Sequence, residues 1–191
     1  MKKLLALAFC SFVASAPAAV IQFDLIGTAG SGLRFGNETG VLSGGTGGEF
    51  GTGITFDDVS KIISINVQWG SANGFANLTG TSTNAHLHAT TIHNGDGFTQ
   101  TGGVVVNLQT DAVNFTTNTS ASAGSIVGSV ALNAVNEASL LDGRLYLNVH
   151  TAANPGGEMR GFLVPVTVPE PASALFGVMT LGAVALRRRR A

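Results

Sequence analysis

Residues 144–166 read RLYLNVHTAANPGGEMRGFLVPV. Leu145, Leu147 and Val149 alternate with Tyr146, Asn148 and His150, so a strand here presents one apolar and one polar face. Asn154-Pro155-Gly156-Gly157 is a tight turn by composition, and Glu158 and Arg160 share one face of the strand that follows. This grammar of period-two runs punctuated by glycine and asparagine clusters extends back to Val20. It predicts strands at 20–27, 50–56, 61–69, 83–90, 102–108, 125–131, 144–150 and 159–166. The fold expected is all-β, a Greek-key-like antiparallel β-sandwich of about eight strands.

Two stretches depart from that pattern. Residues 27–48 hold nine glycines and few large apolar side chains, which predicts a long loop with at most a short hairpin. Residues 136–142, NEASLLD, predict one or two helical turns, with Asn136 as the cap, an acid in the first turn and Gly143 as the stop. No repeat of fixed period is present. Asn-x-Ser/Thr triplets at Asn37, Asn77, Asn114 and Asn118 are what polar loops rich in Asn and Thr yield by chance, and they carry no function here.

The charge of the chain is unevenly placed. Its 191 residues sum to −1, yet six of the ten basic residues lie at the ends, namely Lys2, Lys3, Arg187, Arg188, Arg189 and Arg190. Between residues 20 and 168 only Arg34, Lys61, Arg144 and Arg160 stand against ten acids, which leaves this body at −6. Four scattered cations cannot neutralise a phosphate backbone, so no nucleic-acid partner is expected.

Both ends read as processing signals. Residues 1–18 combine a lysine pair, an apolar run and the small-residue pattern Ala16-Pro17-Ala18, which predicts a signal peptide handled by the Sec translocon and cut by signal peptidase after Ala18. The only cysteine, Cys10, falls inside it, and bulky Phe9 precedes it where a lipidated cysteine needs a small residue. The mature chain would then be exported without any disulfide. Residues 168–191 hold Pro169-Glu170-Pro171, an uncharged run over 172–186 and the four arginines. Fifteen helical residues rise only about 22 Å, short of the roughly 30 Å hydrocarbon core, and the arginines favour the cytoplasmic side. A permanent tail anchor is one reading. The segment closely resembles the bacterial PEP-CTERM sorting signal, however, and that resemblance implies transient membrane association, cleavage near the Pro-Glu-Pro motif by an exosortase, and a host that makes extracellular polysaccharide. Gly177 and Gly182 weaken the helix as a lasting anchor. The organisation expected is signal peptide 1–18, one domain 19–167 and sorting segment 168–191.

The histidines are the candidate chemistry. In NAHLHAT, residues 84–90, alternation puts His86 and His88 on one face, and His150 shares the polar face of its own strand. If those strands are neighbours, three imidazoles converge outside the core in a pattern suited to Cu(II) or Zn(II). His93, Asp96 or Glu158 would complete or orient the site, and Glu158 or Arg160 would hold His150 or the HxH segment in place. The bland alternative is that each histidine only makes hydrogen bonds. Asn94-Gly95-Asp96-Gly97 resembles the start of a calcium loop but lacks the further oxygen ligands and the closing Glu.

Taken together, AHLH (85–88), GGVVVNL (102–108), the LLDG helix end and LYLNVHTAANPGGEMRG (145–161) resemble the CHRD domain, named after chordin and common in bacterial secreted proteins. The resemblance spans about 20–165. The early Glu-Val-Pro-Pro segment of that family is absent, and the stretch between His88 and Gly102 is longer than its usual compact loop. It implies an all-β, extracellular, non-catalytic module; chordin binds growth factors, but nothing in these residues transfers that partner. An HxH strand with a later strand histidine is also similar to Cu/Zn superoxide dismutase, although the disulfide cysteines, the bridging His and the zinc-ligand cluster of that family are missing. No nucleophile elbow, Ser-His-Asp arrangement or convincing carboxylate pair suggests a hydrolase. The function expected is an exported, exosortase-sorted surface or matrix protein whose domain binds extracellular polysaccharide or matrix proteins. The rival is a Cu or Zn protein using His86, His88 and His150.

Overall fold

The computed structural model describes residues 19–35, 43–109 and 116–166. The expected signal peptide with Cys10, the triplets at Asn37 and Asn114, and the sorting segment with Pro169, Glu170, Pro171 and Arg187 to Arg190 lie outside the described residues. Among the described residues, no helix is long and apolar enough to cross a membrane.

The chain forms β1 (Val20–Gly27), β2 (Gly30–Ser31), β3 (Arg34–Phe35), β4 (Gly47–Asp57), β5 (Ile62–Trp69), β6 (Ser82–Ala89), β7 (Gly103–Asn107), β8 (Thr116–Asn118), β9 (Gly124–Ala131), β10 (Leu145–Thr151) and β11 (Met159–Pro165). The eight expected strands are present with ends shifted by a few residues; β2, β3 and β8 are short additions. All the strand pairings are antiparallel. The fold is all-β, as period-two patterning demands.

One continuous order runs β7-β6-β10-β11-β1-β4-β5-β9-β8, with β2 against β1 and β3 against β11. The sheet curls on itself, and the sandwich-like interior is the space it encloses. Phe23 and Leu25 from β1, Ile54 and Phe56 from β4, and Ile63, Ile65, Val67 and Trp69 from β5 meet Leu87, Leu145, Leu147, Val149, Met159 and Leu163 from the other half. Burial of this much aliphatic surface is the main stabilising term in a fold with no disulfide among its described residues. Because β1 lies between β11 and β4, both ends of the domain are locked into mid-sheet positions.

The helix spans Ala134–Leu141 and is capped by Asn133, whose side chain accepts from the Asn136 backbone N–H at 2.9 Å. The expected start at Asn136 is therefore corrected. Asn133 and Asn136 are three residues apart, both chemically able to cap, and Ala134 and Val135 form the first turn. The predicted glycine-rich loop at 27–48 contains β2, β3 and a bridge from Leu33 to Gly47 in its described part.

Trp69 pairs across the sheet with Gly124, and its indole N–H donates to the Ser120 carbonyl at 2.8 Å. A Cβ on residue 124 would lie 1.8 Å from the ring. Gly124→Ala is expected to destabilise the domain by about 1–3 kcal/mol through overpacking. Trp69 is the chain's only tryptophan, so denaturant melts followed by its fluorescence read both the loss and the displaced ring; unchanged stability and emission would contradict this packing.

Candidate metal centre

β10 is buried along its whole length. Its Leu145, Leu147 and Val149 enter the core, so Tyr146, Asn148 and His150 lie on the opposite face. The register with β6 sets Tyr146 beside His88, Asn148 beside His86 and His150 beside Asn84. The two strands are neighbours, and the pairing brings the three histidines to one patch.

One ligand-capable nitrogen from each of His86, His88 and His150 lies within 4.8 Å of the others. His86 Nδ1 is 2.9 Å from His150 Nε2. Protons can be placed from the outer partners, because a carbonyl only accepts. His150 Nδ1–H donates to the Pro155 carbonyl at 2.9 Å. In the neutral ring Nε2 is then an acceptor, so His86 Nδ1 carries the proton between the two rings. His88 Nδ1–H donates to the Gly102 carbonyl at 2.9 Å, which makes Nε2 the acceptor nitrogen of that ring as well.

The segment 91–102 covers the polar face at Tyr146, His88 and Arg160, and the turn 154–157 covers it at Asn148 and His150. Arg160, 1 % exposed, donates to the Phe98 carbonyl at 2.9 Å and the Gln100 carbonyl at 3.0 Å. Its guanidinium sits 4.8 Å from the centre of the Tyr146 ring, and His88 stacks on the same ring at 4.9 Å with planes 15° apart. Gly102 closes the segment: its N–H donates to the Tyr146 hydroxyl at 3.2 Å while its carbonyl receives His88. Arg160 thus orients His88 indirectly, through the segment it anchors. Residues Asn94 to Phe98 all have left-handed backbone, with φ between 50° and 74°. Two glycines, an Asn and an Asp make most of that turn affordable, and Phe98 bears it while packing its ring on Phe162 at 5.6 Å.

The other nominated residues are elsewhere. His93 Nδ1–H donates to the Asp142 carbonyl at 2.7 Å, away from the cluster. Asp96 belongs to the left-handed turn, and neither it nor Glu158 is among the grouped donors. Glu158 is 1 % exposed and serves a different purpose. Its Oε1 accepts from the Gly45 and Thr79 backbone N–H groups, both at 2.8 Å. Its Oε2 accepts from the hydroxyls of Thr79 at 2.5 Å and Thr151 at 2.8 Å, and from Asn154 Nδ2 at 3.3 Å. The expectation that Glu158 acts at His150 is corrected to a clamp on three loops. What patterning could not find was Gly102 and Pro155, which act through backbone carbonyls that residue type does not encode.

Burial pushes the Glu158 carboxyl up, but donation from Thr79, Gly45 and Thr151 outweighs it and holds the group below its ordinary range. A depressed folded-state value means stability that is present above the unfolded value, about 4.3, and is lost as pH falls towards the folded one. Glu158→Gln should cost about 2 kcal/mol at neutral pH by weakening charge-assisted bonds. Denaturant melts through the acid range should show the gap between wild type and variant narrowing as pH drops; a flat or widening gap would contradict the clamp.

Residues 36–163 match the family model of the CHRD domain, a span that includes the three grouped histidines, Glu158 and Arg160. It begins after β1, although β1 occupies the middle of the sheet, so the folding unit extends back to residue 20. No curated protein and no solved structure matches the chain significantly.

Proposed function

The chain belongs to the CHRD domain family, and on that premise we propose that it is an exported, non-catalytic binding module for an uncharged, hydroxyl-rich extracellular polymer. The observation that carries this reading is a charge-free apron of loops at one end of the sheet. Segments 43–46, 70–81, 119–123 and 152–157 are composed of Ser, Thr, Asn, Gly, Ala, Phe, Leu and Pro, without one ionisable side chain. They are tied to one another rather than left loose. Ala76 N–H donates to Thr46 Oγ1, Ser71 N–H to Asn77 Oδ1, Leu78 N–H to the Ala121 carbonyl and Ala72 N–H to the Ser122 carbonyl. Glu158 clamps Gly45 and Thr79 from beneath, joining them to Thr151 and Asn154.

Exposed Ser71, Asn77, Thr81, Thr119 and Ser122 offer hydroxyl and amide groups on this surface. Such groups exchange hydrogen bonds with sugar hydroxyls, and a pre-organised surface spends little ordering entropy on doing so. A polyanion is disfavoured by the net charge of −6 on the body. Delivery follows from the ends of the sequence: the Sec translocon and signal peptidase act at residues 1–18. An exosortase acts near Pro169-Glu170-Pro171 after transient anchoring in the inner membrane, leaving the domain 19–167 at the cell surface or in the matrix. Matrix proteins are the alternative partner.

Two measurements test this. The untagged full chain should bind a neutral exopolysaccharide and not an acidic one. Ala153→Arg and Ser122→Arg, both at exposed apron positions, should each weaken that binding at least about tenfold by steric and desolvation cost. Val59→Arg, exposed at the opposite end of β5, should not. Equal loss in all three, or binding of neither polymer, overturns the apron. Mass determination of the C-terminus in the producing host should find it cut near Pro169; an intact arginine tail on surface-located chain would overturn the sorting route and leave the apron standing.

A further inference from the structure

We infer that His86, His88 and His150 form a mononuclear site for a divalent transition metal, taken by Cu(II) ahead of Zn(II). The site shares no side chain with the apron, although His150 is bonded to the Pro155 carbonyl in one of the apron loops.

Three features of the patch point to a metal. The first is donor convergence from two adjacent strands, with ring centroids 4.7 Å apart for His86 and His150, 5.4 Å for His86 and His88, and 5.9 Å for His88 and His150. The second is the outer layer. His88 and His150 each donate Nδ1–H to a backbone carbonyl, which fixes the ring orientation and turns Nε2 into the coordinating atom, the arrangement that raises ligand basicity in histidine metal sites. His86 completes the set through Nδ1, its proton moving to Nε2 when the metal takes its place between His86 and His150. The third is chemical type. No carboxylate belongs to the group, so hard cations such as Ca(II) and Mg(II), which require oxygen ligands, are excluded by the donor set.

The Irving–Williams order separates the two candidate metals, because the same set of imidazoles binds Cu(II) more tightly than Zn(II). His86 is half-buried while His88 and His150 are buried, so solvent reaches the patch from the His86 side and can supply the remaining ligand.

The test uses the untagged full chain with Cu(II) and Zn(II) salts. One equivalent of Cu(II) should bind with nitrogen hyperfine structure from imidazoles in its electron paramagnetic resonance spectrum. His88→Gln and His150→Gln should each lower the affinity at least about tenfold. His93→Gln, whose ring is bonded to the Asp142 carbonyl, should leave it unchanged. Because a substitution in a buried face could unfold the domain, the wild type is also read directly: on Zn(II) addition, nuclear magnetic resonance should show three of the four imidazoles moving and His93 remaining still. Absence of binding, unshifted signals for His86, His88 and His150, or loss of binding in His93→Gln would overturn the site.

Discussion

The constraint on which the rest of the molecule depends is that β10 is buried on both faces. A strand that turns Leu145, Leu147 and Val149 to the core needs only apolar company on that side. Its other side carries Tyr146, Asn148 and His150, and polar groups withdrawn from water must find partners or cost several times what a surface hydrogen bond contributes. The turn between β10 and β11 supplies partners for Asn148 and His150, and the segment 91–102 supplies one for Tyr146. That segment is anchored by Arg160 through the carbonyls of Phe98 and Gln100, and it delivers Gly102 to both Tyr146 and His88. The second face is therefore a small polar interior, ordered by backbone groups.

Glu158 and Arg160 show how two charges on neighbouring positions acquire separate roles. Two residues apart, they suggested one shared face and a shared task. Arg160 lies in β11 and reaches towards the segment over the His cluster, while Glu158, just before the strand begins, turns into the loops around Gly45, Thr79 and Asn154. Neither charge is paired with the other. Glu158 accepts from neutral amides and hydroxyls and Arg160 donates to two neutral carbonyls, dipoles that hold a charge in a buried place without requiring a second ion to be desolvated.

Much of the sheet was legible because its signal is local. Alternation in Ile63, Ile65, Val67 and Trp69, or in Leu145, Leu147 and Val149, is imposed by the pleat itself and needs no knowledge of neighbours. The helix start was less so, since Asn133 and Asn136 carry the same capping chemistry and only the backbone decides between them. Which histidines share a face could be read; that β6 and β10 lie side by side could not, because 55 residues separate the two strands and pairing is a property of the whole topology. The burial of the polar face was illegible for a further reason. At Tyr146 and His88 it depends on Arg160 finding two carbonyls about sixty positions away, and carbonyls have no residue code.

The turn between β10 and β11 joins these features. Pro155 offers its carbonyl to His150, Asn154 reaches Glu158 and Thr79, and Asn148 donates to the Gly156 carbonyl. Gly157, at φ 122°, passes so close to Asn148 that a Cβ would lie 2.3 Å from its Oδ1. Four residues are thus held from three directions at once, by an imidazole, an amide and a carboxylate. A turn determined in this way has little freedom to follow a ligand. The loop apron and the His cluster therefore stand on one rigid connection, and the tight Asn-Pro-Gly-Gly sequence is required by close approach on its inner side as much as by the reversal of the chain.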